Sequence, residues 1–280
     1  MRLAVTGGSG RVGTAVSAAA LDSGDEVVIL DRQPPPPRLA GRVTYRETDL
    51  NSFETVLTAL RGCDVLVHLA GIPGPREADE VVVHDTNVLS SYHALAAAAR
   101  LGIHRAVQAS SINAVGATWS RRPRFDYFPV DEQHPTFNED GYSLSKWMAE
   151  EQASSLTRRY DGFSVASLRF HAFVMDRREA MRWKTREGEE WAARGLWGYT
   201  TAAMLADAFL RACRADFAGH EPCFIVAPDT AADSDSDDLR KQWYPEVPLR
   251  RPLSGRQGFW DCGHAATLLG WTAAADPGPP

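Results

Sequence analysis

The 280-residue chain holds only four cysteines, Cys63, Cys213, Cys223 and Cys262, and they are scattered. No C-x-x-C pair occurs, so neither a disulfide frame nor a zinc site is expected, and reduced thiols suit a cytoplasmic protein. The eight histidines lack H-E-x-x-H or any similar ligand spacing, so no metal is expected. No apolar run reaches eighteen residues, which argues against a membrane-spanning helix. The N-terminus reads as a core strand instead of a secretion signal. Basic charge is also scarce. Thirty Lys and Arg against 36 Asp and Glu leave a net charge of −6, which argues against a nucleic-acid surface. No internal repeat and no clear linker divide the chain, whose length fits one large α/β domain with at most a small lobe.

The first thirteen residues carry the strongest signal. Arg2-Leu3-Ala4-Val5-Thr6 reads as a strand, followed by a turn with glycines at 7, 10 and 13 and then a helix. Gly7 allows a sharp turn off the strand. Gly10 allows backbone to approach a pyrophosphate, and Gly13 allows the helix to pack closely on the strand. The residues opening the helix, Gly10, Arg11, Val12 and Gly13, would turn free N–H groups and the positive dipole end towards phosphates. A second strand, Glu26 to Asp31, ends in a carboxylate twenty-four residues after Gly7. Asp31 can accept hydrogen bonds from the adenosine ribose hydroxyls and would repel a 2′-phosphate, which favours NAD over NADP. The neighbouring Arg32 keeps NADP open.

Strand and helix then alternate. Pro34 to Pro37 is a stiff loop, Val43 to Glu47 a third strand, and Ser52 an N-cap for a helix to Leu60. The apolar run from Cys63 to Gly71 fits a strand buried on both faces, with a Pro/Gly loop from Ile72 to Glu77 at its ligand-binding end. Asn87 to Arg100 reads as a helix closed by Gly102. Arg105 to Ser111 reads as a strand, Tyr142 to about Tyr160 as a long helix, and Phe163 to Phe170 as another strand. This alternation predicts a Rossmann-type, doubly wound parallel sheet over residues 1–170. Residues 171–280 read as a small substrate-binding lobe that is not an independent domain. Within it, Arg177 to Trp191 is dense in charge and reads as helical or mobile, Thr201 to Arg214 as an amphipathic helix, and Pro222 to Ala227 as a short strand. The acidic run Asp233 to Asp238 reads as a loop and helix start, and a Pro/Gly tail ends the chain.

Tyr142 and Lys146 are four residues apart on one helix and therefore share a face. An ammonium beside a phenol is expected to lower the phenol's pKa. Tyr142 would then exchange a proton with a substrate hydroxyl or carbonyl while hydride moves to or from the nicotinamide. Ser111, at a strand's C-terminal end, would hold the same oxygen. Alone, a Y-x-x-x-K pair also describes a tyrosine packed beside a solvated lysine.

Taken together, these stretches resemble the short-chain dehydrogenase/reductase superfamily, in its extended, epimerase/dehydratase-like branch. The matching residues are Thr6 to Gly13, Thr48-Asp49-Leu50, Val67 to Gly71, Asn87, Ala109-Ser110-Ser111, Tyr142 to Lys146 and Leu168-Arg169-Phe170. The resemblance implies that Asp49 and Leu50 sit at the adenine and that Leu69, Ala70 and Gly71 line the middle of the cofactor. It further implies that Asn87 supports the strand ends beside the cofactor and that Lys146 also binds the nicotinamide ribose. Such proteins often dimerise through the helices corresponding to 87–100 and 142–160, so a homodimer is expected.

The substrate half departs from that pattern. After Arg169 the chain runs His171-Ala172-Phe173-Val174-Met175-Asp176, where the branch usually has an Asn and then Gly-Pro, and only about thirty residues lead back to Trp197-Gly198-Tyr199. A complete nucleotide-diphosphate site is therefore not expected, and the layout is nearer to small uronate-dehydrogenase-like members that oxidise free sugar acids. Asn113, Arg169 and His171 are the candidate substrate contacts, Arg169 as a bidentate carboxylate ligand. A structural ion pair is the alternative for Arg169, and a packed core histidine for His171. Three functional readings follow. The first is hydride transfer between NAD and a sugar-like alcohol or carbonyl. The second is an epimerase that retains its cofactor; a dehydratase is disfavoured because Ile112 and Asn113, not a carboxylate, follow Ser111. The third is a non-catalytic dinucleotide sensor, disfavoured because tyrosine and lysine are both present.

Overall fold

The computed structural model describes residues 1–273, apart from the side chains of 183–187, so the Pro/Gly tail lies outside the described residues. Seven parallel strands form one sheet. In chain order they are β1 (Arg2–Thr6), β2 (Glu26–Asp31), β3 (Thr44–Glu47), β4 (Val65–His68), β5 (Arg105–Ser111), β6 (Ser164–Phe170) and, last, β9 (Gly219–Ile225). Their spatial order is β3-β2-β1-β4-β5-β6-β9. Two-residue strands β7 (Phe173–Val174) and β8 (Thr200–Thr201) pair separately, also in parallel.

Helices cover both faces because the central strands β1 and β4 are apolar on both sides. Along β1, Leu3 and Val5 point to one layer and Ala4 to the other, as a period of two dictates. The first layer holds α1 (Arg11–Asp22), α7 (Ala202–Arg214) and α9 (Gly263–Leu269), with Val16, Phe209 and Trp271 in its core. The second holds α2 (Phe53–Ala59), α3 (Glu80–Arg100) and α4 (Gly141–Arg159), with Val56, Leu95 and Leu156. Side-chain caps set most of the helix starts. Ser52, Asp79, Asp140 and Thr201 accept from the backbone N–H groups of Thr55, Val81, Ser143 and Met204 respectively. The Asp79 cap starts α3 seven residues before Asn87, where the alanine-rich stretch alone had suggested a start.

The expected boundary at 170 does not follow the packing. Beyond it, β9, α7 and α9 complete the main sheet and its first layer. The lobe instead draws on both halves of the chain. Its aromatic core joins Phe125, Phe128 and Val130 to Trp197, Tyr244, Phe259 and Trp260. The Phe128 N–H donates to the Pro248 carbonyl at 2.9 Å, and the Val130 N–H to Phe259 at 2.8 Å. The remaining helices are α5 (Arg177–Glu187), α6 (Glu189–Arg194) and α8 (Ser236–Trp243). The acidic run behaves as expected: Asp235 caps α8.

Since all seven strands run the same way, the ends of β1, β2, β4, β5 and β6 meet at one edge of the sheet, where open α/β folds bind ligands. A cavity of about 970 Å³ opens there between the sheet and the lobe.

Candidate active site

The glycine turn between β1 and α1 forms one wall of this cavity. Gly7 has φ of +66°, and a Cβ on it would lie 2.7 Å from the Ala70 nitrogen. A Cβ on Gly13 would collide with the Gly7 carbonyl oxygen and lie 2.6 Å from Gly8 Cα. These two glycines let the protein pack against itself. Gly10 differs: a Cβ there meets only the Gly7 oxygen, at 3.3 Å, so its other side is open to the cavity. No side chain caps α1, which leaves its first N–H groups without a side-chain partner.

The second wall is built from strand ends. Asp31 Oδ2 accepts from the Ser9 N–H at 3.1 Å and Oδ1 from the Gln33 N–H at 3.0 Å, so the carboxylate is fastened to the glycine turn. Thr6 Oγ1 pairs with His68 Nδ1 at 2.8 Å and accepts from the N–H groups of Leu69 and Ala70 at 3.2 and 3.4 Å, fixing the bend after β4. Arg11, Val12, Arg32, Asp49, Leu50, Leu69, Ala70 and Gly71 all line the cavity. Asn87 does not. Its Oδ1 accepts from the Ile72 N–H at 2.7 Å, and its Nδ2 donates to the Ile72 carbonyl and to Ser145 Oγ, each at 3.1 Å. The amide is consumed in clamping the bend behind the wall, so Asn87 supports the cavity instead of contacting its contents.

At the inner end of the cavity stand Ser111, Tyr142 and Lys146. Ser111 Oγ accepts from the Asn113 backbone and side-chain nitrogens at 3.1 and 3.2 Å, and its hydroxyl is near enough to Tyr142 to pull the phenol's pKa down. Lys146 Nζ donates to the Ala109 carbonyl at 3.0 Å and lies 5.8 Å from the centre of the Tyr142 ring. The expected lowering of the Tyr142 pKa is not found. Burial pushes the phenol up to about 12, with Ser111 pulling down and Asp140 adding to the rise. Burial also brings the Lys146 ammonium down to about 8, against an upward pull from Glu150. Loss of water is the largest influence on both groups, so Tyr142 is a neutral phenol at neutral pH.

Of the three candidate substrate contacts, Asn113 and His171 line the cavity. Asn113 is partly occupied by Ser111. His171 Nε2 bonds the Gly195 carbonyl at 2.8 Å and Nδ1 accepts from the Ala172 N–H at 2.6 Å, and burial lowers its pKa to about 4. It is a neutral strut for the turn at Gly195. Arg169 lies outside the cavity wall and grips Glu150 with both arms, Nε to Oε1 at 2.9 Å and Nη2 to Oε2 at 2.6 Å. It is the structural ion pair, not a carboxylate ligand. Trp119 and Trp191, 4.8 Å apart between ring centres, line the outer end with Arg76 stacked over both. Sequence reasoning passed over them, since a lone Trp, whether in the loop at 119 or in α6 at 191, carries no spacing signal.

The residues fit a dinucleotide. Unhindered backbone at a helix start suits a pyrophosphate, a carboxylate at the end of β2 suits ribose hydroxyls, and an apolar cleft joins them. Strand order, glycine turn and the Ser/Tyr/Lys group define a Rossmann-type protein of the short-chain dehydrogenase/reductase class. The chain belongs to the NAD dependent epimerase/dehydratase family, whose model matches residues 3–180. It is 26% identical over 168 residues to the uronate dehydrogenase of Pseudomonas putida, covering 60% of this chain and 59% of that protein. It is 28% identical over 182 residues to the UDP-glucose 4-epimerase of Neisseria meningitidis serogroup C, covering 60% and 52%. The match thus spans less than two thirds of the length of either relative. The fold is similar to that of MoeE5 in complex with UDP-glucuronic acid and NAD, with a TM-score of 0.73 at 22% identity over 98% of this chain and 94% of that one.

Proposed function

We propose that this chain is an NAD-dependent oxidoreductase that moves a hydride between the nicotinamide and a secondary alcohol or carbonyl of a sugar-like substrate. The observation that carries this reading is the convergence of Ser111, Tyr142 and Lys146 on one cavity with the glycine turn and Asp31, Lys146 lying one helical turn beyond Tyr142. When bound, NAD supplies the hydride acceptor. Gly10 and the start of α1 hold its phosphates, Asp31 its adenosine ribose, Asp49 and Leu50 the adenine edge, and Lys146 the second ribose. Asp31 favours NAD over NADP through its charge. Ser111 fixes the reacting oxygen. Tyr142, a neutral phenol, gives its proton to a carbonyl oxygen in reduction and takes it back from the hydroxyl in oxidation. The substrate end offers Asn113 and the Trp119–Trp191 wall, and the relatives named above include enzymes for both free uronates and nucleotide sugars.

Val81, Leu89 and Tyr92 on α3 are 64, 41 and 48% exposed. This apolar stripe supports a homodimer through α3 and α4. Four free cysteines, three of them buried, suit a reducing, cytoplasmic setting.

The test is absorbance of reduced nicotinamide on mixing the protein, NAD and a panel of free sugars and uronic acids. A rise in wild type that drops by at least 10²-fold in Tyr142→Phe, with NAD binding retained, is expected. The similarity to the epimerase favours one second reading, in which the hydride returns to the same substrate. Tight NAD binding without accumulation of reduced cofactor, and isomer exchange on a nucleotide sugar, would replace the first reading by that one.

A further inference from the structure

Tyr142, Lys146 and Glu150 follow one another at intervals of four along α4 and so lie on one face. Glu150 is 3% exposed. A buried carboxylate is costly unless its oxygens are satisfied, and here they are. Besides the two bonds from Arg169, Oε1 accepts from Ser110 Oγ at 2.5 Å. Arg169 is itself 6% exposed, donates to the Glu132 carbonyl at 3.4 Å and lies 5.3 Å over the Phe224 ring.

The position of these bonds matters more than their number. Ser110 immediately precedes Ser111. Ala109, one residue further back, takes the Lys146 ammonium on its carbonyl. The end of β5 that carries Ser111 is therefore tied to α4 at two consecutive residues, by Lys146 at Ala109 and by Glu150 at Ser110. Arg169 carries the same tie across to β6. The charged and titratable groups around this knot come from every element packed on it. They are Arg169 of β6, His220 of β9 and, past Arg169, Glu132. His68 of β4 faces Lys146, and Tyr142 shares its helix. His220 bridges Ser154 and Ser167 at 2.8 and 2.7 Å, and burial lowers its pKa, as it does that of His68. Glu150 is thus the anionic group acting on Lys146, and it is the upward influence on that ammonium.

We infer that Glu150 is a positioning residue for the reaction: its buried pair with Arg169 holds Ser110, and with it Ser111, against the helix that carries Tyr142 and Lys146. The inference rests on the roles proposed above for Tyr142 and Lys146. A purely structural ion pair predicts something different, because replacing both members of such a pair with neutral groups is often harmless.

The test uses the full chain with Glu150→Gln, which leaves Arg169 unpaired, and the double variant Glu150→Gln/Arg169→Met, which buries no lone charge. Lys146, Lys184 and Lys241 are the only lysines in the sequence. Isotope-labelled lysine therefore gives three side-chain NMR signals, with Lys146 identified by its loss in Lys146→Met. In the double variant with wild-type thermal stability, the Lys146 titration is expected below its wild-type position, because the upward influence of Glu150 is gone. On the uronic acid or sugar that wild type turns over, kcat is expected to fall at least tenfold with KM within twofold. A Lys146 titration at its wild-type position in that folded variant overturns the inference. So does wild-type kcat. Failure of the oxidoreductase reading itself shows elsewhere, as turnover by Tyr142→Phe or as absence of turnover in wild type, and leaves the lysine titration as the deciding measurement.

Discussion

The three glycines of the turn make different demands, and substituting them separately tests that account. Gly10 sits in extended backbone, φ −73° and ψ 175°, which alanine adopts without strain. Its added methyl would touch one atom, the Gly7 oxygen at 3.3 Å. Alanine also removes freedom from the unfolded chain, worth about 0.4–1 kcal/mol. These small effects oppose one another, so the stability of Gly10→Ala is expected within about 1 kcal/mol of wild type. The methyl would nevertheless stand where the phosphates approach. NAD affinity is expected to fall at least tenfold, about 1.4 kcal/mol. Gly13→Ala reverses the pattern. Its methyl would strike the Gly7 carbonyl and Gly8 Cα, which are backbone atoms of a turn already fixed from two sides. Overpacking of this kind costs roughly 3 kcal/mol or more, a fall of roughly 6–10 °C in Tm for a chain of this size. Calorimetric titration with NAD and thermal unfolding without it read the two effects independently. A Gly10→Ala protein that binds NAD as wild type does would refute the placement of the phosphates at the start of α1. A Gly13→Ala protein with unchanged Tm would refute the packing role.

Two further outcomes follow from burial and from the exposed stripe. His68 is buried and His171 half-buried, with pKa values lowered by loss of water to about 3 and about 4, whereas the unfolded chain protonates its histidines near 6.5. Between those limits the unfolded state binds more protons, so stability is full above about pH 6.5 and is lost as pH falls towards 4. Tm should decline from pH 7 to pH 5, while the two imidazole resonances show no titration over that range; ordinary midpoints near 6.5 would refute the burial argument. The dimer proposal predicts that Leu89→Asp/Tyr92→Asp converts a dimer to a monomer in light scattering after gel filtration. Both positions are on the exposed side of α3, so the fold should survive, and a wild-type protein that is already monomeric would dispose of the proposal.

What could be read in the sequence was whatever maps chain spacing directly onto geometry. The glycine turn is local, Tyr142 and Lys146 meet because they are one helical turn apart, and the apolar runs of β1, β2 and β4 need no knowledge of their neighbours. Alternation of those strands with helices indicates a doubly wound parallel sheet, whereas the order of its seven strands is a finding of the structure. Pairings made across the fold were hidden. Arg169 finds Glu150 nineteen residues earlier on a different element, and the local text around Leu168-Arg169-Phe170 distinguishes that partner from a substrate carboxylate in no way. The two-residue strands β7 and β8 are too short for any periodicity. Asp79, by contrast, was visible: an acid followed by Glu80 is a helix start, masked by the Pro/Gly loop just before it. The acidity of Tyr142 shows why spacing can give even the wrong sign. Proximity to Lys146 is written in the sequence and on general grounds is expected to lower a phenol's pKa. Burial is a property of the assembled cavity, it acts on both partners at once, and it is the larger effect. A Y-x-x-x-K pair therefore specifies that two groups meet. Whether the tyrosine waits as a phenol or a phenolate is decided by the walls around it.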